Sequence, residues 1–183
     1  VTDLNQIAFL FHSVRNKNVI ALTERLEASG IPVFSPRSAR FFEREETQLL
    51  IGLFMLLFPQ VFKILDEKEE YMPETVAYYR NAANRLAAKL KEDPQGTAEL
   101  VKWAKRKARE HAFLGAPTDY TFLGLFYEAL KFPLFADYIK TDHDGTPRHS
   151  REAFNLALFS QLLAKFEYIY GINVLSPKWL ESN

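Results

Sequence analysis

A nearly uninterrupted apolar run from Leu49 to Leu65, LLIGLFMLLFPQVFKIL, is the feature that most constrains the fold of this chain. A segment this apolar is stable only inside a membrane or inside a protein core. It is shorter than the roughly 20 residues that a membrane-spanning helix needs. It also contains Pro59 and Gln60, and acidic residues flank it on both sides. We therefore predict a helix buried within the protein and no membrane partner.

The pattern from Phe42 onward is helical almost to the end of the chain. Three carboxylates, Glu43, Glu45 and Glu46, lie where a first helical turn is expected, and each stabilises such a turn by about 0.3–1 kcal/mol through the helix dipole. Further helical segments are predicted at 75–91, 97–114, 118–140 and 151–170, separated by the loops KEDPQG, GAP and TDHDGTPRHS. The charged run DEKEEYMPE, residues 66–74, is the best candidate for a boundary. The predicted fold class is mainly α.

The amino-terminal segment has a different pattern, typical of a small α/β element. The run IAFLF, Ile7 to Phe11, predicts a buried strand, and IPVF, Ile31 to Phe34, predicts a second one. Between them a helix is expected from Asn18, as its cap, to about Ser29, ending at Gly30. Strand, helix and strand form a right-handed βαβ crossover. Two strands are too few for a complete sheet, so exposed apolar surface is expected around them.

Composition excludes several functional classes. Lys and Arg together number 23, as do Asp and Glu, so no global positive field attracts nucleic acid and any basic footprint must be local. The absence of cysteine excludes disulfide scaffolds, thiolate metal sites and a thiol nucleophile. With no secretory signal in the sequence, this favours a reducing, cytoplasmic location. The start at Val1 is what a piece of a longer protein would look like.

No complete catalytic motif is present in the sequence. None of the seven glycines has the context of a phosphate-cradling loop, no serine lies in a nucleophile elbow, and no HExxH pair occurs. The loop DHDGTPRH offers Asp142, His143, Asp144 and His149 to a metal ion, but its pattern favours a solvated turn over a calcium loop. We therefore assign no metal site and no complete catalytic site.

Two aromatic patterns have alternative interpretations. Lys102, Lys105, Arg106, Lys107 and Arg109 surround Trp103, a mixture that could follow a phosphate backbone while the indole stacks on a base. The favoured interpretation places Trp103 in the core and the cations on the solvent-exposed face of the helix. The aromatic residues from Tyr120 to Tyr138 are likewise interpreted as core and not as a ligand groove.

The first third of the chain, from IAFLFHSVRNKN to the proline at position 59, resembles the second RecA-like domain of superfamily 1A DNA helicases, the UvrD, Rep and PcrA group. The matching residues are Gly30-Ile31-Pro32, then Phe41-Phe42, Arg44 and Glu46, and finally Pro59. The helical remainder lies where those helicases insert their mainly helical 2B subdomain. It matches that subdomain in position and in helical character, but not in sequence motifs. The resemblance implies a partial RecA-like (2A) segment over residues 1–60 and a helical, 2B-like insertion over residues 61–183.

The resemblance also implies a function for the parent protein. Such a parent would be an ATP-dependent helicase or helicase-nuclease that translocates on single-stranded DNA, unwinds duplex DNA and uses ATP with Mg²⁺. This piece would form one wall of the nucleotide cleft and a DNA-contacting or regulatory arm, and its partners would be DNA and the other helicase domains. Because it lacks the Walker motifs, it should be inactive alone and bind neither ATP nor Mg²⁺.

The resemblance further assigns residues to sites. The family ends its first strand with an arginine that faces the nucleotide phosphates, and this sequence has His12 there, with Arg15 three residues later. We expect Arg15 to take this role. The usual glycine pair before the double-aromatic motif is replaced by Arg37-Ser38-Ala39-Arg40. The family places this loop near the single-stranded DNA, which makes Arg37, Arg40 and Arg44 candidates for DNA binding.

Two other interpretations stay open. Arg37 and Arg40 could instead pair with Glu43 and Glu45 on an exposed turn. The whole chain could be a non-enzymatic helical protein-interaction module whose beginning only imitates the helicase pattern. A small α/β hydrolase or transferase has less support, because no nucleophile and base occur together.

Overall fold

The computed structural model describes residues 9–12, 16–31, 33, 39–143, 145 and 147–177. It consists of two compact units, Val1–Arg44 and Glu45–Asn183. The predicted boundary between 1–60 and 61–183 concerns the domains of a parent protein and stays a prediction. The boundary between the two compact units lies after Arg44 and not at position 60, because the apolar helix that follows Arg44 packs within the second unit.

The first unit contains helix α1, Lys17–Ala28. Its cap is Asn16 and not the predicted Asn18, because the Asn16 side chain accepts a 2.9 Å hydrogen bond from the Asn18 N–H. The helix ends as predicted at Gly30, whose φ of 77° is in the left-handed region that favours glycine. There the Ile31 N–H donates to the Leu26 carbonyl at 3.0 Å, which closes the helix end.

The predicted βαβ element is not confirmed. Residues 9–11, 31 and 33, which the structure describes, form no strand, and the rest of both predicted strands lies outside the described residues. A strand requires a paired neighbour, and two short strands are marginal on their own. Phe9, Leu10 and Phe11 are exposed, Leu10 almost completely. A short 3-10 helix, Ala39–Glu43, follows, in which Phe41 is buried and Phe42 is half exposed.

The second unit is helical, which confirms a mainly α fold for the described residues. Its helices are α2 (Glu45–Leu57), α3 (Gln60–Lys68), α4 (Pro73–Glu92), α5 (Ala98–Ala112), α6 (Phe122–Ala129), α7 (Pro133–Ala136) and α8 (Ser150–Tyr170). A 3-10 turn, Asp137–Ile139, follows α7. In the described part of this unit, β pairing is limited to an isolated bridge between Thr141 and Pro147.

Helix α2 is the centre of this unit and forms the buried part of the apolar run, whereas the run continues after Pro59 as a separate helix, α3, in which Leu65 alone is buried. Helix α2 packs against α4, α5 and α8, and its buried residues include Leu49, Leu50, Leu53, Met55 and Leu57. Gly52 allows α2 and α4 to approach closely, since a Cβ at this position would lie 2.5 Å from the Ala82 carbonyl oxygen. No described helix is by itself long and apolar enough to cross a membrane; α2 and α3 meet that requirement only as a pair, with axes bent by 107°.

The charged run at 66–74 joins two helices instead of separating them. Leu65 on α3 is buried with Met55 and Val76. On the surface above, Arg80 of α4 donates to Asp66 at 2.7 Å and to Glu69 at 3.1 Å. The end of α3 is therefore tied to α4 by an apolar cluster and by exposed ion pairs.

The segment after α8 is anchored to the second unit. Gly171, with φ of 63°, ends α8. Leu175 beyond it is fully buried, and its carbonyl accepts from the Thr118 N–H at 2.9 Å. Its own N–H donates to the Tyr120 carbonyl at 3.1 Å. These bonds fix the connection between α5 and α6 against the end of α8.

Candidate functional site

The predicted nucleotide-facing loop is described only in part. His12 is exposed, and Arg15 lies outside the described residues. The assignment of Arg15 to the phosphate-facing role stays a prediction.

The predicted DNA-binding arginines are also described only in part. Arg37 and the side chain of Arg40 lie outside the described residues. Arg44 is partly buried, and its Nη2 donates to Glu27 Oε1 at 2.6 Å. Its partner is therefore a carboxylate of α1. This ion pair ties the residue before α2 to α1, and DNA binding by the three arginines stays a prediction.

Trp103 is a core residue, as the favoured interpretation predicted. The indole is 7% exposed, and its Nε1–H donates to Glu128 Oε2 at 2.8 Å. Its ring also packs against Phe132, with centroids 5.3 Å apart. Of the aromatic residues from Tyr120 to Tyr138, Phe122, Phe126 and Phe135 are buried as predicted, whereas Tyr127 is 54% exposed. Trp103 therefore joins α5 to α6 and offers no open face for a nucleobase.

The cations of α5 do not all lie in solvent, because Lys107 is buried. Its Nζ lies 3.7 Å from the centroid of the Tyr120 ring and 3.3 Å from Glu110 Oε2. An ammonium group beside a carboxylate and over a ring face is stabilised by both. The ammonium group of Lys107 is thus bound by two side chains of the protein itself, Tyr120 and Glu110.

His111, four residues after Lys107, is the most deeply buried ionisable group of α5. It is 3% exposed, and its ring stacks on Phe58 with centroids 4.3 Å apart. Its Nδ1 lies 2.7 Å from the Leu57 carbonyl. A carbonyl can only accept, so Nδ1 carries the proton and donates it. Because Pro59 interrupts the helix, this bond satisfies a carbonyl at the end of α2.

Beyond the imidazole, a chain of polar groups leads toward the surface. His111 Nε2 lies 3.1 Å from the Tyr120 hydroxyl, and that hydroxyl lies 3.1 Å from Glu110 Oε2. The single hydroxyl proton of Tyr120 can go to only one of these acceptors at a time. If His111 took up a proton at Nε2, it would donate to Tyr120 and Tyr120 to Glu110.

Burial decides the protonation states in this network. Desolvation lowers the pKa of His111, and the nearby Lys107 lowers it further, against the effect of the hydrogen bond to Leu57. Desolvation, followed by hydrogen bonding to Glu110, raises the pKa of Tyr120 well above its ordinary value. Burial acts to raise the pKa of Glu110, but the hydrogen bonds from Lys107 and Tyr120, together with the positive charges of Lys107 and Arg106, outweigh burial and lower it. At neutral pH the network therefore holds a neutral imidazole, a neutral phenol, an ammonium and a carboxylate.

A second polar feature lies between α2 and α4. A groove of about 510 Å³ is lined by Gln48 of α2 and by Tyr78, Asn81, Asn84, Arg85 and Ala88 of α4. Gln48 is 8% exposed, and its Oε1 is buried without a hydrogen-bond partner in the described part of the chain. Sequence reasoning missed this groove, although the polar positions 78, 81 and 85 recur at helical spacing in an otherwise alanine-rich helix.

A third polar contact joins α2 to α8. Glu46 is 3% exposed and accepts a 2.6 Å hydrogen bond from Asn155 Nδ2. Tyr138 is partly buried nearby, and desolvation together with Glu45 and Glu46 raises its pKa to about 12. The glutamate that the helicase resemblance places at the helix entrance is thus bonded within the helical unit.

The loop considered as a metal site contains an ion pair. Arg148 Nε donates to Asp142 Oδ1 at 2.7 Å, across the isolated bridge. Asp144 lies outside the described residues, and the described ones contain no group of three or more metal-ligating side chains.

Comparison of the chain with protein-family models, with curated proteins and with solved structures found no match in any of the three.

Proposed function

We propose that this chain is a piece of an ATP-dependent DNA helicase or helicase-nuclease of the superfamily 1A group. The observation that carries the proposal is the ordered set of residues in its first third: Gly30-Ile31-Pro32, Phe41-Phe42, Arg44, Glu46 and Pro59. In this proposal residues 1–60 are part of the second RecA-like domain, with the βαβ start, and residues 61–183 form a helical insertion. The parent is cytoplasmic and acts on single-stranded and duplex DNA.

Two structural details support this interpretation. Gly30 ends α1 in the left-handed conformation, so the chain can turn directly from the helix into Ile31, as the motif requires. Arg44 of the double-aromatic motif pairs with Glu27 of α1 at 2.6 Å. Arg44 is thereby bonded to the same helix that Gly30 ends, and Arg37 and Arg40, which lie between them in sequence, are the residues proposed to meet DNA phosphates.

The cofactors of this proposal belong to the parent protein. The seven glycines include no phosphate-cradling loop, so ATP and Mg²⁺ would be held mainly by a domain outside this sequence. ATP hydrolysis would supply the energy for movement along one strand. Within this chain, Arg15 would contribute positive charge at the phosphates, and the surrounding loop would form one wall of the cleft.

The test is an ATPase assay on the protein encoded by the complete reading frame that contains this sequence. We expect ATP hydrolysis that rises when single-stranded DNA is added, and unwinding of a duplex with a single-stranded tail. The 183-residue chain alone should hydrolyse no ATP. A full-length protein that has no P-loop and no DNA-stimulated ATPase activity would contradict the proposal.

A second candidate function is a non-enzymatic protein-interaction module. The observation in its favour is the exposed apolar end of α8, where Tyr168, Ile169 and Tyr170 are each at least 60% exposed. Aromatic residues are enriched in protein interfaces. The same ATPase assay separates the two candidates, because an interaction module would show no activity in the complete protein.

A further inference from the structure

The groove between α2 and α4 has polar groups that the fold leaves unsatisfied. The amide oxygen of Gln48, Oε1, accepts no hydrogen bond in the described part of the chain, although the residue is more than nine-tenths buried. Buried polar groups are nearly always hydrogen-bonded, so an amide oxygen without a partner beside a groove indicates a missing ligand or solvent. On the opposite wall, Asn81 and Asn84 are exposed carboxamides with no hydrogen bond among the described residues.

The groove also contains an unmatched positive charge. Arg85 has no carboxylate partner among the described residues. The neighbouring Lys89, by contrast, lies 3.0 Å from Glu92 and 3.9 Å from Glu45. Arg85 is exposed, so its guanidinium is accessible to the carboxylate of a ligand, which such a group can bind in a bidentate geometry.

We propose that this groove binds an extended peptide segment that carries an acidic side chain. A carboxamide presents a donor beside an acceptor and so complements the N–H and C=O of a peptide group. Asn81 and Arg85 are four residues apart, which separates them by about 6 Å along the helix. Two residues of an extended chain advance by about 6.6 Å, so successive side chains of α4 meet alternate residues of the peptide.

The shape and charge of the groove fit this occupant better than a nucleic acid. Its volume of about 510 Å³ is within the roughly 300–1,000 Å³ typical of ligand sites, and Tyr78 and Ala88 add apolar surface at either end. Nucleic-acid binding relies on several cations that neutralise phosphates. Here a single cation is unpaired, and Glu45 and Glu92 lie nearby. The inference does not depend on the helicase proposal, since it concerns α2 and α4 alone.

The test uses the 183-residue chain labelled with ¹⁵N and a pool of random heptapeptides with Glu fixed at the central position. We expect the side-chain amide signals of Gln48, Asn81 and Asn84 to shift on addition of this pool. Parallel pools with Gln or Lys at the centre should shift them much less, because they cannot pair with Arg85. A pool with N-methylated peptide bonds should also fail, because its main chain cannot donate.

Two variants locate the site. Arg85→Gln should weaken binding of the Glu pool about tenfold or more, because hydrogen bonds to charged groups are worth about 1.5–3 kcal/mol. Arg109→Gln, an exposed arginine of α5, is the matched control and should leave binding unchanged. Circular dichroism should show both variants folded, since both positions are on the surface.

Several results would overturn the proposal. Absence of any shift with the Glu pool would do so, as would equal binding of the Lys pool or of the N-methylated pool. Equal losses in the two arginine variants would mean a nonspecific charge effect. A fluorescein-labelled oligothymidine that binds through Arg85 while the peptides do not would assign the groove to nucleic acid instead.

Discussion

Gly52 of α2 faces the backbone of α4 so closely that a Cβ in its place would lie 2.5 Å from the Ala82 carbonyl oxygen and 3.0 Å from Leu86 Cβ. The carbonyl belongs to a helix and cannot move aside without disturbing it. Gly52→Ala should therefore destabilise the protein by about 1–3 kcal/mol, although Ala in a helix is otherwise favoured over Gly by about 1 kcal/mol. Urea denaturation measures the difference.

Gly115→Ala is the matched control for this prediction. Its φ is not positive, and a Cβ there would have no atom within 4 Å. The stability of this variant should change little or rise slightly. If Gly52→Ala were as stable as the control, the close approach of α2 and α4 would be wrong.

Protonation of His111 should couple the stability of the protein to pH. Burial, with a smaller effect of Lys107, lowers the pKa of His111 in the folded protein. The unfolded chain therefore binds a proton at higher pH than the folded one, and stability rises with pH wherever this is so. The contribution is complete above the unfolded pKa of about 6.5 and is lost as pH falls from there through the lowered folded pKa.

Comparison with His111→Gln isolates this contribution from the titration of carboxylates. At pH 8 the variant should be less stable by about 1–3 kcal/mol, because the Leu57 carbonyl loses a well-placed donor. Between pH 7 and 5 its stability should fall less steeply than that of the unaltered protein. His143→Gln, in an exposed loop, should keep the full pH dependence. Parallel curves for all three proteins would refute the assignment.

Local patterns predicted the features of the fold that depend on neighbours in sequence. The first part of the apolar run, Leu49 to Leu57, lies in the buried helix α2 as predicted, but the run divides at Pro59 and its second part is mostly exposed or half-buried in α3. Gly30 predicted the end of α1. The position of Trp103 among cations predicted a helix with its indole in the core. Each depends on periodicity or backbone preference, which the sequence displays directly.

Contacts between distant residues could not be predicted in this way. His111 and Leu57 are 54 residues apart, and the sequence shows only that Pro59 would leave carbonyls of α2 without partners. Likewise, Gln48 and the polar positions of α4 form a groove only because Gly52 brings the two helices together. The small α/β element was inferred from strand-like runs alone, whereas a strand also requires a partner to pair with.

Trp103 offers a test of the core interpretation against DNA stacking. Its Nε1–H donates to Glu128 at 2.8 Å, so Trp103→Phe leaves that carboxylate without its donor and removes ring volume. We expect a loss of about 1–3 kcal/mol in stability, measured by denaturant unfolding. Any weak binding of single-stranded DNA at low salt should stay the same in the folded variant. A stable variant with impaired DNA binding would favour the stacking interpretation.

Arg37 and Arg40 can be tested in the complete parent protein. If they meet phosphates, replacing both by Ala should weaken binding of single-stranded DNA equally for all sequences. It should also reduce the slope of log affinity against log salt by about one to two units, because fewer counterions are released. Arg106→Ala, at an exposed position on α5, is a control for loss of positive charge. An unchanged slope would favour the interpretation in which Arg37 and Arg40 pair with Glu43 and Glu45 on an exposed turn.

Arg15 and His12 test the nucleotide-facing loop, where the sequence departs most from the helicase pattern. An arginine beside a transferring phosphate stabilises charge that develops in the transition state, and such residues typically contribute about 10³–10⁵ in turnover. A histidine could do so only when protonated, and even then it has two N–H donors against the five of a guanidinium. In the complete parent, Arg15→Ala should lower DNA-stimulated ATPase turnover by well over tenfold with DNA affinity nearly intact, and His12→Ala should lower it much less. If neither substitution changes turnover while the protein still hydrolyses ATP, this loop only connects the segments on either side of it, and the phosphate contact must come from another part of the parent.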